Sequence, residues 1–273
     1  MEKSSVKKFF YLLNSQIIRD FKITLGTSIL LMGINIIWFT YEVNKYINDG
    51  YLNKLVENSK DGMFVEFIEF YVNNLGIQRL INLAFLMCIC LYCCYLWFGE
   101  FLGENKSAYT LLNLPISEKF IVLYKFLAAI FFYVSLVFFS LIGTLVNKFI
   151  FHAVFPEEGV LKESLREFII ETEYIFRHIL PSDYLYGILG LLSIFALILV
   201  VFLFSLLERS FGILGGFLGV LIGGSLIFIY VILPSILRLY ESERFFWMIG
   251  TSIVYILLGW FGSTYLLKNK VHV

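Results

Sequence analysis

Polar and charged residues in this chain concentrate in the intervals between long apolar runs. The runs are continuously apolar, without the alternation in about ten-residue strands that a membrane β-barrel needs. Several approach or exceed the roughly 20 residues that cross a bilayer as a helix. The pattern predicts an all-α membrane protein, one transmembrane domain over 1–273, with six spans at about 21–41, 79–98, 117–151, 184–207, 211–237 and 245–267. An even number of crossings places both termini on the same side.

The intervals carry their own patterns. Ahead of the first span, Val6, Phe10, Leu13, Ile17 and Phe21 recur at helical spacing, with Lys7, Lys8 and Arg19 near the polar side. This reads as an amphipathic helix over 5–21, lying in the membrane interface; the alternative is an ordinary helix packed on the protein itself. The two long loops, 42–78 and 152–183, each predict a short amphipathic helix. In the first, Phe64, Phe67, Ile68 and Tyr71 share a face; in the second, Leu161, Leu165, Phe168 and Ile169 do, continued by Ile175 and Phe176. They would cap the bundle, or form an outer gate or recognition surface.

The fifth span is rich in glycine. Gly212 and Gly216 are four apart, and so are Gly215, Gly219 and Gly223. Small residues at that spacing let helices approach closely in lipid, so close packing is the first expectation, with a partner helix in the same chain or in a second copy. A glycine-lined conduit wall is the other reading. Pro234 should kink or end that helix. Asn35 and Asn82 are the main polar residues at depth, where asparagine makes interhelical hydrogen bonds or lines a pathway.

Composition agrees with a membrane class. Of 273 residues, 59% are hydrophobic and 15% charged, against about 25% charged in a soluble domain. The net charge of zero implies no nucleic-acid partner. Cys88, Cys90, Cys93 and Cys94 crowd one apolar run, which is no disulfide framework. They read as small apolar residues of a buried helix, with a metal or redox site on the Cys90–Cys94 face as the alternative. The N-terminus lacks the short apolar core and cleavage site of a signal peptide.

With both termini cytoplasmic, the inner segments hold Lys3, Lys7, Lys8, Arg19, Lys22, Lys106, Lys119, Lys125, Arg209, Lys268 and Lys270, eleven of the 21 basic residues. The count is a near tie, but the inner segments are shorter and five of these residues precede or open the first span, which favours that orientation. Most acids then lie outside.

Several chemistries lack their residues. There is no GxxxxGK[ST] loop for ATP, no HExxH and no GxSxG. Glu157–Glu158 forms a glutamate pair, but in an outer loop, and no histidine on a span completes a metal site, so a membrane-embedded hydrolase has little to build on. Charges cluster at span ends, without the buried ionic chain that marks a proton-coupled carrier. If the chain moves something, the energy comes from a partner.

The segment Glu100–Ser117 between the second and third spans is organised differently from a simple loop. "ENKSAYTLLNL" is helix-compatible, and Tyr109, Leu112 and Leu114 make a small apolar patch amid charge. Pro115 stops that element. Ser117 then suits the N-cap of the third span, with Glu118 complementing the helix dipole and Lys125 two turns on, low enough to snorkel to the interface.

At these residues the chain resembles the permease subunits of ABC-2 type exporters. Glu104, "LLNLPIS" at Leu111–Ser117 and Lys125 match the glutamate, leucine–proline core and distal lysine of that family's first cytoplasmic loop. Lys106–Ser107 replaces its glycine–threonine pair, and Glu118–Lys119 replaces its basic pair, keeping one base. The specific match covers about 25 residues, and the six-span layout agrees with the family over the whole chain.

The resemblance implies a bacterial plasma-membrane protein that is not itself an enzyme and has no catalytic, cofactor or metal residues of its own. It would pair with a second permease copy or a related permease. A separate cytosolic ATPase would bind ATP and Mg and dock on a coupling element at 100–117. The implied coupling residues are Glu100, Glu104, Lys106, Tyr109, Leu112, Pro115 and Ser117. Glu208 and Arg209, in the turn between the fourth and fifth spans, make a second contact. The aromatics and the acidic outer face suit hydrophobic or amphipathic cargo, with peptides preferred. The competing reading is a non-transporting membrane protein, such as an immunity or sensor component.

Overall fold

A computed structural model of the chain describes residues 2–48, 75–102, 117–154 and 184–269. The described residues are almost wholly helical and contain no strand. The helices are α1 (Glu2–Asn48), α2 (Leu75–Leu102), α3 (Glu118–Val154), α4 (Tyr184–Phe211) and α5 (Ile213–Ile227). A π-helical segment (Phe228–Ile232) leads into α6 (Leu233–Ile236), and α7 is Glu241–Asn269.

Five segments are long and apolar enough to cross a bilayer: Lys7–Asn48, Glu118–Val154, Ile188–Phe211, Ile213–Ile236 and Ser242–Asn269. The expected second span lies within α2, a helix of 28 residues that carries the apolar stretch Leu83–Gly99. Six spans were expected, and among the described residues five meet the length and composition of one.

The interfacial helix and first span, expected as two elements meeting at Phe21, are a single unbroken α1 of 47 residues. None of the chain's four prolines lies in it, so nothing removes a backbone donor where the two elements join. At 1.5 Å per residue it is about 70 Å long, more than twice the hydrocarbon core of a bilayer. α1 also continues through Asn48 and α2 begins at Leu75, so helix enters both ends of the expected loop 42–78. The amphipathic helices expected in the two long loops lie outside the described residues.

Burial along α1 is inverted relative to a soluble helix. Its buried face carries Gln16, Asp20, Thr24, Ser28, Asn35 and Glu42, while Phe10, Phe21, Leu30 and Ile37 face outward. The first four repeat every fourth residue and the last two continue on the same side, so one polar stripe runs down the helix. Apolar outside and polar inside is the arrangement lipid favours, because a buried polar group then finds a protein partner instead of hydrocarbon. The apolar face expected at the N-terminus is the outward one: Phe10 and Phe21 are exposed, Leu13 and Ile17 half-buried.

The chain divides into two compact units. One comprises Met1–Arg19, Cys88–Phe131 and Asp183–Val273; the other comprises Asp20–Met87 and Phe132–Ser182. In the second unit α1 and α3 run parallel. Contacts advance together along both, from Ser28–Ser135 (3.2 Å) through Met32–Gly143 to Asn35–Asn147.

In the first unit α4, α5 and α7 form a layer. α4 and α5 are antiparallel, since Leu207 meets Gly215, Phe204 meets Gly219 and Ser193 bonds Tyr230. α7 runs parallel to α4, with Gly259 against Leu199 and Gly262 against Leu203. Ala196, Val200 and Tyr255 form the apolar centre of this layer.

Candidate functional site

Most of the expected coupling element lies outside the described residues: Glu104, Lys106, Tyr109, Leu112 and Pro115 all do. Glu100 falls near the end of α2, but its side chain and that of Asn82 are outside the description. Ser117 immediately precedes α3 and is exposed, and its carbonyl accepts the Phe120 N–H at 2.9 Å. Glu118 opens the first turn. The helix of the expected third span therefore starts at Glu118, directly after Ser117; the residues before Ser117 lie outside the described ones.

Lys125 departs from expectation. It does not reach back to an interface; it is 0% exposed. Its ammonium donates to the Leu96 carbonyl and sits 4.4 Å from the centroid of the Trp97 ring. Trp97 is itself pinned edge-on by Phe202 of α4, with ring centroids 5.6 Å apart. A strongly hydrated ammonium leaves water only where a carbonyl and an aromatic face replace its shell. The reason Lys125 turns inward is that α2 offers both within reach.

Glu208 and Arg209 lie on the last turn of α4, followed by a one-residue connection, Gly212, to α5. Gly212 has φ +58°, which an L-residue adopts at a cost and glycine does not. The hairpin is tight enough that a Cβ on Gly215 would stand 1.8 Å from the Leu207 carbonyl oxygen, and one on Gly219 would stand 2.3 Å from the Phe204 ring. The partner helix is thus α4 of the same chain. Gly216 has only the Glu208 side chain nearby, and a Cβ on Gly212 or Gly223 would meet nothing within 4 Å. Of the five glycines singled out by spacing, two are the close-packing pair.

Asn35 makes the interhelical bond expected of it: the Asn147 side-chain amide donates to its oxygen at 3.1 Å. Asn147 was not singled out by the sequence reading, although a lone asparagine in an apolar run was the available signal. Its own Oδ1 is buried without a hydrogen-bond partner. Gly259 was likewise missed. It stands four residues from Ser263, the same small-residue spacing that drew attention to α5, and a Cβ there would come within 2.9 Å of Leu199 backbone atoms.

The most elaborated place in the described residues is where α5 gives way to the π-helical segment. There the Leu233 N–H bonds back five residues to the Phe228 carbonyl. In that register the Ile229 carbonyl would take the N–H of residue 234, and Pro234 has none. The Trp247 indole N–H of α7 supplies the missing donor at 2.9 Å. Tyr230 bonds Ser193 of α4 and Tyr255 bonds Ser225 at 2.9 Å. Widened turns of this kind occur often at functional sites.

α6 then ends in a paired C-terminal motif. Arg238 N–H donates to Ser235 and Leu239 N–H to Pro234 (3.3 and 3.2 Å), with Arg238 at φ +52° in the left-handed position usually given to glycine. At the start of α7 the Glu243 carboxylate accepts the Tyr240 N–H at 3.0 Å, a side-chain cap, and the Tyr240 carbonyl accepts the first helical bond from the Arg244 N–H at 2.8 Å.

Between the π segment and α7 lies a groove of about 870 Å³. Ile229, Leu239, Phe246, Trp247, Val254 and Leu258 supply most of its wall, with Glu243 toward one end. Among the described residues no group of three or more histidine, cysteine or acidic side chains is placed to hold a metal. No family model, curated protein or solved structure matches the chain.

Proposed function

We propose that the chain is the membrane-spanning permease subunit of an ATP-driven exporter of the ABC-2 type. It would form a pathway for hydrophobic or amphipathic cargo, peptides foremost, and draw its energy from a separate cytosolic ATPase docked on the segment 100–117. On this reading α2 is the sixth crossing, both termini are cytoplasmic in a bacterial plasma membrane, and two permease chains pair around the pathway.

One observation carries the reading. The proline-centred stretch Leu111–Ser117 leads directly into an apolar helix that begins at Glu118 and is long enough to span, with Lys125 two turns inside it. The directions of the helices add support. Parallel α1 and α3, and α5 antiparallel to both α4 and α7, are the alternation that successive crossings require.

The test is purification of the full chain from its native membrane. A separate ATPase should accompany it, and cargo should stimulate its hydrolysis in proteoliposomes. Glu104→Lys, or deletion of 109–112, should leave hydrolysis running but abolish transport. Transport undiminished in both variants would defeat the coupling role. A chain that carries no ATPase and moves no cargo would favour the immunity or sensor reading.

A further inference from the structure

We propose that the groove between the π-helical segment and α7 binds a single-tailed amphiphile with a cationic head, the tail along the groove and the head at Glu243. The site's test is binding alone, so it stands or falls separately from the permease reading.

The wall excludes most ligands. Its polar side chains are already engaged with the protein: the Trp247 indole with the Ile229 carbonyl, Tyr255 with Ser225, and the Thr251 hydroxyl with the Trp247 and Met248 carbonyls (2.9 and 3.0 Å). A ligand group that needed hydrogen bonds would lose them on entry, at a cost. An apolar chain loses nothing. Gly250 keeps the floor open, since a Cβ there would meet nothing within 4 Å. From Glu243 to Leu258 the groove follows α7 for about 22 Å, and its volume lies within the range of small-molecule sites, roughly 300–1,000 Å³.

One end differs. Among the described residues Glu243 is the only charged one in the lining. One of its carboxylate oxygens holds the cap of α7, which fixes the side chain in place, and the other is left for a ligand. The ligand that fits an apolar trough with a fixed carboxylate at one end is an alkyl chain bearing an ammonium. An anionic head would meet like charge. A phospholipid would bring a second tail, and a phosphate against the carboxylate.

The experiment uses the full chain in phosphatidylcholine nanodiscs, with Trp38, Trp97 and Trp260 changed to Phe so that Trp247 is the sole tryptophan. The probes are a brominated alkyl-trimethylammonium and a brominated alkyl sulfate of equal chain length. The cation should half-quench Trp247 at a concentration about five-fold lower than the sulfate, the effect of one partly exposed ion pair. An excess of the unbrominated cation should reverse the quenching. Glu243→Gln keeps an oxygen for the Tyr240 N–H and should erase the difference between probes. Gly250→Leu should abolish displaceable quenching by both. Equal quenching by the two probes, a preference that survives Glu243→Gln, or quenching that unbrominated cation does not displace would each overturn the proposal.

Discussion

The α1–α3 pair and the α4–α5–α7 layer combine the same two devices in different proportions, side-chain hydrogen bonds and close approach at glycine. Between α1 and α3 two polar pairs, Ser28 with Ser135 and Asn35 with Asn147, flank the approach of Met32 to Gly143. In the layer, the closest approaches are made where a side chain is missing, at Gly215, Gly219 and Gly259. In lipid, burying apolar surface no longer drives helices together, because the tails outside are as apolar as the core. Association must come from hydrogen bonds or from van der Waals contact at short range. The first is bought with polar side chains that must all find partners. The second requires glycines in the right phase and tolerates nothing larger.

The sharpest way to break the comparison is to add one carbon to the glycine layer. Gly215→Ala puts a methyl on the Leu207 carbonyl, and backbone cannot step aside as a side chain can. The loss should reach about 3 kcal/mol, the upper end of overpacking costs, read from SDS-induced unfolding in mixed micelles. Gly259→Ala, against the Leu199 backbone, should behave the same way.

Next in size is the repaired carbonyl. Trp247→Phe removes the donor to Ile229 and leaves that oxygen unpaired, which should cost about 1–3 kcal/mol in the same assay. The cost should shrink when Pro234→Ala is also present, because alanine restores a backbone N–H at the position the π register needs. Equal costs in the two backgrounds would show that Trp247 is not substituting for the proline.

The polar seam should be softer. A double-mutant cycle on Asn35→Ala and Asn147→Ala should give a coupling of about 0.6 kcal/mol, and no more than about 1.7, as for other hydrogen bonds within membranes. A coupling near zero would mean that the amide pair is bystander to the packing at Gly143. At the bottom of the scale stands Gly223→Ala. Its Cβ meets nothing, so stability should stay within about 0.5 kcal/mol. A large loss there would place an unseen partner against that face of α5.

Much of the helix layout was legible in the chain. The expected spans at 117–151, 184–207 and 245–267 each overlie a helix whose ends lie within a few residues, and 211–237 overlies α5, the π segment and α6 in succession. That success has a simple cause: a backbone in hydrocarbon must satisfy its own hydrogen bonds, so a long apolar run has little choice but helix. Pro234 was legible as an interruption, because its missing N–H is a local property. The form of the interruption was not. A π register capped by an indole needs Trp247, 13 residues further on and on another helix.

Which face of a helix meets a partner was the part hidden from the sequence. The spacing of Gly215, Gly219 and Gly223 made all three look alike, yet a Cβ on the third would meet nothing within 4 Å, although α4 continues past it to Ser193 opposite Tyr230. Lys125, read locally, should have reached for water. Trp97 and the Leu96 carbonyl, 28 and 29 residues earlier, hold it inside. The sequence by itself determined where the chain is helical and apolar, since those follow from neighbours along the backbone. Only the tertiary structure decided which polar groups face inward, which glycines are needed and where a groove opens, because each depends on atoms brought together from distant parts of the chain.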